Sequence, residues 1–507
     1  MLVKSEQDAI QSFLADASNL AGGHAAGVAV PESAEEVAEV LARASAELTP
    51  VTVAGAGTGV VGGRVPFGGL VLSTARLNRV REIVKEGGGG RATVEAGVVL
   101  ADFQREVGAR GLLYPPDPTE SSCYIGGTVA TNASGARTFK YGPTRRYVRR
   151  LKVALASGEL LDVRRGEIRA DAEGNLRVPL AGGRTIEARL PTLSMPSTRK
   201  HAAGYHVAPW VDLVDLFIGS EGTLGVVTEV EVNLLPQPEG VLAGVVFFES
   251  EDGLLAFVRE ARERSLLTRE SGAAKDSAGL DARALEYFDA ESLSFLRERY
   301  PLVPLRAAGA VFFEQETDAG TEERLMGEWL ELVERHDALA DESWFGTNEH
   351  DRAEMRAFRH ALPVMVNEWL ARRGQRKVST DMAVPDAAFP EMLGFYKETL
   401  RAGRLSHVIF GHVGDNHVHV NILPRDDAEA AAAREIYGRF VERAVSLGGT
   451  VSAEHGVGKI KREYLRTLYG EAALREMAGL KRAFDPACVL GRGNIFPEEF
   501  LPAPGAA

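Results

Sequence analysis

Five glycines crowd nine residues of this chain: Gly55, Gly57, Gly59, Gly62 and Gly63. They follow TPVTVA, so the stretch reads as a buried strand running straight into a glycine-rich turn. Glycine admits positive φ and lets successive backbone N–H groups close on an anion, which makes such a turn a concave nest for phosphate oxygens. Taken alone, it is equally a tight turn at a packed strand end. The residues that follow, GGLVLSTARLNRV, read as a second strand. The helix of a Rossmann fingerprint is therefore missing, as is a P-loop lysine, and a nicotinamide cofactor is disfavoured.

Two further loops carry the same chemistry. PPDPTESSCYIGGTVATNASGARTFKYGPTRRYV offers Gly126, Gly127 and Gly135 among Ser121, Ser122, Thr128, Thr131, Asn132 and Ser134. FIGSEGTLGVVTEV supplies Gly219, Gly222 and Gly225. Three turns rich in glycine and small hydroxyls make a long groove lined mainly by backbone. Such a groove suits an extended dinucleotide better than a single phosphate. The basic stretch Arg145, Arg146, Arg149, Arg150 and Lys152 reads as a solvated rim.

Around these loops the balance of residues is that of an ordinary folded protein. The chain has 507 residues, 45% apolar and 25% charged, which is length for roughly two to four domains. Lys plus Arg number 58 against 71 Asp plus Glu, a net charge of −13. An acidic surface repels phosphate backbones, so no nucleic-acid partner is expected. Apolar runs such as GVVFF at 244–248 fall far short of the ~20 residues a membrane span needs. The opening MLVKSEQDAIQSFLADASNL carries acids where a signal peptide would be apolar. The expectation is a cytoplasmic protein without a transmembrane segment, with peripheral membrane contact left open. Cys123 and Cys488 are the only cysteines, too few for a disulfide framework, a Cys-rich zinc site or an iron–sulfur cluster ligated by this chain alone.

Along the chain, residues 31–47 read as a capped amphipathic helix with Val37, Val40 and Leu41 on one face. Helices, strands and glycine turns alternate to about 232, and the PQPEG cluster at 236–240 is the natural boundary. Beyond it a strand–helix–strand–helix rhythm predicts a second, α+β domain. From 405, LSHVIFGHVGDNHVHVNILP reads as a β-hairpin, and 427–447 as a helix.

That hairpin concentrates histidines. Eleven occur in the chain, yet His412, His417, His419 and, farther on, His455 fall in one neighbourhood. A four-residue connection over 413–416 would pair His412 with His417, and a period of two then sends His412, His417, His419 and Asn421 to one face. His412 and His419 become diagonal neighbours, ~7–8 Å apart at the backbone, within reach of one ion. Glu454 in VSAEHGVGK is the natural oxygen ligand. Two histidines and a carboxylate with an open position make a catalytic rather than a structural metal set, and zinc or another divalent ion fits. The alternative is one His paired with Asp415 and the others solvated or capping.

The motifs AGAGTGVVGG, IGGTVATNASGARTFKYGPTRRYV and FIGSEGTLGVVTEVEV resemble the FAD-binding domain of the vanillyl-alcohol oxidase / p-cresol methylhydroxylase superfamily. From about 25 to 497 the chain is similar to the branch of D-lactate dehydrogenases, the D-subunit of glycolate oxidase and D-2-hydroxyglutarate dehydrogenase. The resemblance implies an α+β fold: a two-part FAD-binding domain (1–238), an α+β substrate or cap domain with an antiparallel sheet (239–450), and a C-terminal segment (451–507) packing back toward the FAD domain. It implies that Gly55, Ala56, Gly57, Thr58 and Gly59 cradle the FAD pyrophosphate. Pro116, Asp117, Thr119, Ser122, Gly126, Gly127, Thr131, Asn132 and Gly135 would line the flavin. Glu221, Gly222 and Val227 would contact the adenosine side, and Asn494 would join the cofactor site. No His occurs at 54–63, so the FAD is expected to be non-covalent. The metal ligands implied are His412, His419 and Glu454, with His455 as catalytic base. A position often Asn in the family is His417 here, which bears on the ligand set.

Oxidising a 2-hydroxy acid means taking the hydroxyl proton and moving the Cα hydride to flavin N5. A divalent ion makes the hydroxyl more acidic, and His455 accepts its proton. Arg359 and Lys377 sit where the family places carboxylate-binding residues, and Asn421 would donate a hydrogen bond. By itself, an arginine on an amphipathic helix reads as surface. The expected activity is FAD-dependent, metal-assisted oxidation of an (R)-2-hydroxy acid such as D-lactate or glycolate. The alternatives are a D-2-hydroxyglutarate dehydrogenase, a non-catalytic flavin-binding electron-transfer subunit and a flavin-free metallohydrolase. Electrons would leave to a quinone, a cytochrome, an electron-transfer flavoprotein or oxygen. A homodimer is compatible with all of these.

Overall fold

In the computed structural model, which describes residues 2–271 and 279–502, the first glycine turn leaves an edge strand of a small sheet. That sheet holds β1 (Leu2–Lys4), β2 (Gly27–Val30), β3 (Val51–Ala54) and β4 (Leu70–Ser73) in the order β1-β2-β4-β3. β2, β4 and β3 run parallel, and β1 runs antiparallel to β2. Between β2 and β3 lies the helix Ala34–Ala46. Ser33 caps it by accepting the Glu36 N–H, and Glu35 and Glu36 complement the dipole of its first turn. Its Val37, Val40 and Leu41 pack with Val51 and Leu72, the apolar face that the helical spacing predicts.

A second sheet follows, formed by β5 (Val80–Glu86), β6 (Gly89–Glu95), β7 (Leu112–Leu113), β8 (Val148–Ala154) and β9 (Leu160–Arg164). β10 (Asn175–Pro179) and β11 (Thr185–Arg189) make a separate hairpin, and β12 (Val226–Pro236) completes the sheet between β6 and β8. All its pairings are antiparallel. The arginine-rich stretch leading into β8 is spent on ion pairs: Arg145 with Asp215, Arg149 with Glu231, and Arg150 with Asp162 and Glu229.

Only residues 237–239 separate β12 from β13 (Gly240–Phe248), the first strand of a different sheet. There it joins β14 (Ala282–Asp289), β15 (Gly309–Thr317), β16 (Trp344–Gly346), β17 (Val378–Ser379), β18 (His407–Gly411) and β19 (His419–Ile422). The order is β16-β13-β15-β14-β18-β19-β17, antiparallel throughout. Alternation along β15 shows why both faces are covered. Val311 and Phe313 enter a cluster with Trp329, while Ala310 and Phe312 enter another with Phe358. Each fully buried phenylalanine contributes about 1.5–3 kcal/mol.

β14 has no counterpart in the sequence reading. Its eight residues are all buried, yet they include Arg283, Glu286 and Asp289. Charges inside a sheet erase the alternation that marks a strand. They persist here because each is partnered, as Arg283 is by Glu314 at 2.8 Å. The C-terminal segment, described to residue 502, returns to the first sheet, where Val51 donates to Val489 O and accepts from Gly491 N.

Candidate active site

β18 and β19 pair Phe410 with His419, and the His417 N–H donates to His412 O at 3.2 Å. The connection over 413–416 is therefore four residues long, with Asn416 in the left-handed region at φ 52. His412, His417 and His419 converge, their ring centroids 4.5–5.6 Å apart. Glu454 reaches the same point: its Oε2 lies 3.3 Å from His412 Nε2, 3.9 Å from His417 Nδ1 and 3.8 Å from His419 Nε2. One donor atom from each of the four residues falls within 4.8 Å of the others, a spacing one cation can bridge. Asn421, on the same face, is buried with neither amide atom hydrogen-bonded among the described residues, and an orphaned buried amide is the chemistry of a ligand contact. The donor set fits a divalent cation.

Neighbouring strands hold these rings from behind. Tyr287 opposite Gly411 places Glu286 beside His412, and its carboxylate meets His412 Nδ1 at 2.6 Å. Arg359, from the helix Glu349–Ala371, closes on the other Glu286 oxygen at 2.9 Å. Burial alone would raise Glu286, but Arg359 and His412 hold it down to about 2. His412 is lifted to about 9, burial opposing and Glu286 and Glu454 prevailing. His419 is held well below its ordinary value by burial and by the neighbouring histidines.

Asp381 organises the turn that delivers Glu454 and His455. Fully buried beyond β17, it accepts the N–H groups of both residues and the Ser452 hydroxyl, and it pairs with Lys461 at 2.5 Å. His455 Nδ1 lies 3.4 Å from the same carboxylate, and burial, against the pull of Asp381, takes His455 down to about 4. His455 also stacks on His419, centroids 5.4 Å apart.

Lys200 joins the two halves. Its side chain is 0% exposed, and Nζ donates to Gly135 O at 2.8 Å and to Glu454 Oε1 at 2.5 Å, with Asp415 at 3.3 Å. Ser134 Oγ donates to the same Glu454 oxygen at 3.1 Å. Burial would strip the lysine of its proton, and Glu454 and Asp415 keep it charged. Lys200→Met removes the cation that pairs with two buried carboxylates, Glu454 and Asp415. We expect it to lower unfolding stability by about 3–5 kcal/mol in thermal or denaturant melts, and added divalent cation should narrow the loss.

The glycine turn fits a bound phosphate. Gly57 has φ +86, and a Cβ at Gly59 or Gly127 would meet nothing within 4 Å, so both backbones face open space. Arg64 Nη1 donates to Gly55 O at 2.9 Å and lies beside Gly57, setting a cation at the turn. Gly135 approaches Asp117 O so closely that a Cβ would lie 1.9 Å from it. Gly126 and Gly127 lie in the short helix Ile125–Ala130, with Thr131 at its C-cap. Pro116 O accepts from Gln104, and Thr119 and Ser122 are exposed. Asn132 accepts the Arg145 N–H through its side chain, and Gly222 packs on Val53. Val227 sits in β12.

Glu221 and Asn494 stand at the seam between the glycine turn and the C-terminal segment. The Glu221 carboxylate accepts the Val457 and Gly458 N–H groups, both at 2.7 Å, and burial lifts it to about 7. Asn494 donates to Gly63 O at 3.0 Å and accepts from Lys459 at 2.7 Å. Their side chains brace the Glu-His-Gly turn against the glycine turn. Lys377 is half-buried with no ion-pair or hydrogen-bond partner among the described residues, and burial lowers its pKa.

Sequence reasoning did not single out Lys200, Glu286 or Asp381, and it noted Ser134 only as one of many small donors. Each acts on a partner 71–320 positions away, so local spacing carries no sign of it.

Comparison with known proteins agrees with this geometry. Residues 25–164 match the model of an FAD binding domain, and 272–495 match that of FAD linked oxidases, C-terminal domain. The chain is 30% identical over 477 residues to the glycolate oxidase subunit GlcD of Bacillus subtilis, covering 93% of this chain and 89% of that one. A D-lactate dehydrogenase of Anaerostipes hadrus is 28% identical, over 91% and 88% of the two chains. A D-2-hydroxyglutarate dehydrogenase of Xanthomonas citri is also 28% identical, over 94% and 90%. Among solved structures, an alkyldihydroxyacetonephosphate synthase superposes with a TM-score of 0.65 at 15% identity, covering 96% of this chain and 81% of that one, a likeness of fold.

Proposed function

The chain belongs to the FAD-linked oxidoreductases that include glycolate oxidase D-subunits, D-lactate dehydrogenases and D-2-hydroxyglutarate dehydrogenases, and from that premise we propose that it oxidises a small (R)-2-hydroxy acid to the 2-oxo acid. The observation that carries this reading is the Lys200 bridge. It ties Gly135, on the loop expected to line the flavin, to Glu454 in the histidine cluster.

FAD, when bound, supplies the acceptor for the Cα hydride, and a divalent cation supplies Lewis acidity toward the hydroxyl. His412, His419 and Glu454 would hold that cation. His455 accepts the hydroxyl proton at Nε2. Its Nδ1 faces Asp381, which favours the tautomer with Nε2 free, and its low pKa keeps the ring neutral near pH 7. Asn421 offers its unpartnered amide to a substrate oxygen.

Charge counting favours a monocarboxylate. Near Arg359 the cations Arg137, Arg283 and Arg359 are paired with Asp117, Glu286 and Glu314, so among the described residues these three offer no spare charge to a second carboxylate. Lys377, two positions before Ser379, which pairs with Asn421, has no counter-ion among the described residues. One spare cation suits one carboxylate. The electron acceptor would be a quinone, a cytochrome or an electron-transfer flavoprotein.

Anaerobic mixing with D-lactate, glycolate and D-2-hydroxyglutarate tests the reading through flavin bleaching at 450 nm. Lactate or glycolate should bleach faster than 2-hydroxyglutarate. Bleaching by none of the three would favour a non-catalytic flavin subunit. His455→Ala is expected to slow the bleaching step about 10²–10⁴-fold with KM, flavin and cation content retained. An equal loss in substrate binding would contradict the base role.

A further inference from the structure

We propose that His417 is a fourth protein ligand of the cation, giving a centre of three imidazoles and one carboxylate. The inference rests on the reading of this cluster as a divalent-cation site and adds to it a further histidine of the same hairpin.

His417 is 0% exposed, and its Nδ1 has no hydrogen-bond partner among the described residues. A buried imidazole left so costs on the order of 1–3 kcal/mol unless something binds it. Its orientation matches that of the other two rings. Each points one nitrogen at Glu454 Oε2 and turns the other toward an anchoring oxygen. For His412 that oxygen is Glu286 Oε1 at 2.6 Å, and for His419 it is the Thr380 carbonyl at 3.1 Å. For His417 it is Asp381 Oδ1, 3.2 Å from Nε2, which leaves Nδ1 facing the cluster. Metal-bound histidines are held this way, the outer N–H on a carboxylate or carbonyl. The cause lies in the hairpin: His417 is opposite His412, and the Ala383–His417 bridge brings the Asp381 strand alongside.

A fourth ligand changes which ion can work. Four protein donors close a tetrahedral ion, as in structural zinc sites. An ion that takes six donors keeps two positions, enough for the hydroxyl and carboxylate oxygens of one substrate. Imidazole-rich sites with that demand suit Fe(II), Co(II) or Ni(II).

X-ray absorption on the Co(II)-loaded wild-type protein counts imidazoles without any substitution. Three are expected, and two would overturn the proposal. His417→Asn should lower Co(II) affinity, measured by chelator competition, by more than the roughly 10–100-fold that loss of an outer partner costs. FAD content should be unchanged, which separates ligand loss from misfolding. Unchanged Co(II) affinity would remove His417 from the centre while leaving the cation site standing. A wild-type protein that takes up no divalent cation would instead overturn the site reading itself.

Discussion

Glu454→Gln is expected to reduce turnover of the 2-hydroxy acid about 10³-fold or more while FAD stays bound. Three histidine nitrogens meet at one Glu454 oxygen, and the other oxygen receives Ser134 and Lys200. An amide keeps the shape and loses the charge, so the proposed cation would lose the anionic donor of the cluster. Lewis-acid stabilisation is worth several kcal/mol, and each ~1.4 kcal/mol is tenfold in rate. Lys200 would keep only Asp415 as a counter-ion, so a lower melting temperature should accompany the loss. Cation content by elemental analysis, the flavin spectrum and kcat/KM together check it. Full activity with a full cation load would remove Glu454 from the centre.

Gly57→Val is expected to yield a colourless protein. Gly57 has φ +86, a conformation a β-branched residue adopts only with strain. Its new Cβ would also lie 2.4 Å from Arg64 Nη1. Arg64 is held by Gly55 O and Ser12 O, so it has little freedom to retreat. Valine thus fills the turn and displaces the one guanidinium beside it. The ratio of absorbance at 450 nm to that at 280 nm should fall to the apoprotein level, and circular dichroism should remain that of the folded chain. A yellow variant would mean that the pyrophosphate lies elsewhere.

Much of the site was legible from local pattern. The two-residue period of HVHVN and a four-residue connection were enough to put His412, His417, His419 and Asn421 on one face, and the structure has that register. The freedom of the glycines after β3 was legible because it is a property of the residue itself. Other residues changed meaning in three dimensions. Glu221 and Asn494, implied as cofactor contacts, have side chains that brace the Glu-His-Gly turn against the glycine turn. Arg359 reads as surface on its helix, yet it is buried against Glu286, on a strand whose inward charges hid it from any periodicity.

The sequence by itself determined which residue types stand together: glycines in turns able to cradle an anion, histidines on a hairpin with a carboxylate, and too few cysteines for an iron–sulfur cluster ligated by this chain alone. Those follow from residue type and spacing within a few positions, where backbone geometry is nearly fixed. The tertiary structure alone decided that the two chemistries meet. Lys200 lies 254 positions from Glu454 and Ser134 lies 320 from it, and only the packing of separate sheets closes those distances. A buried ammonium must find carboxylates wherever folding brings them, and that requirement is written in no local pattern.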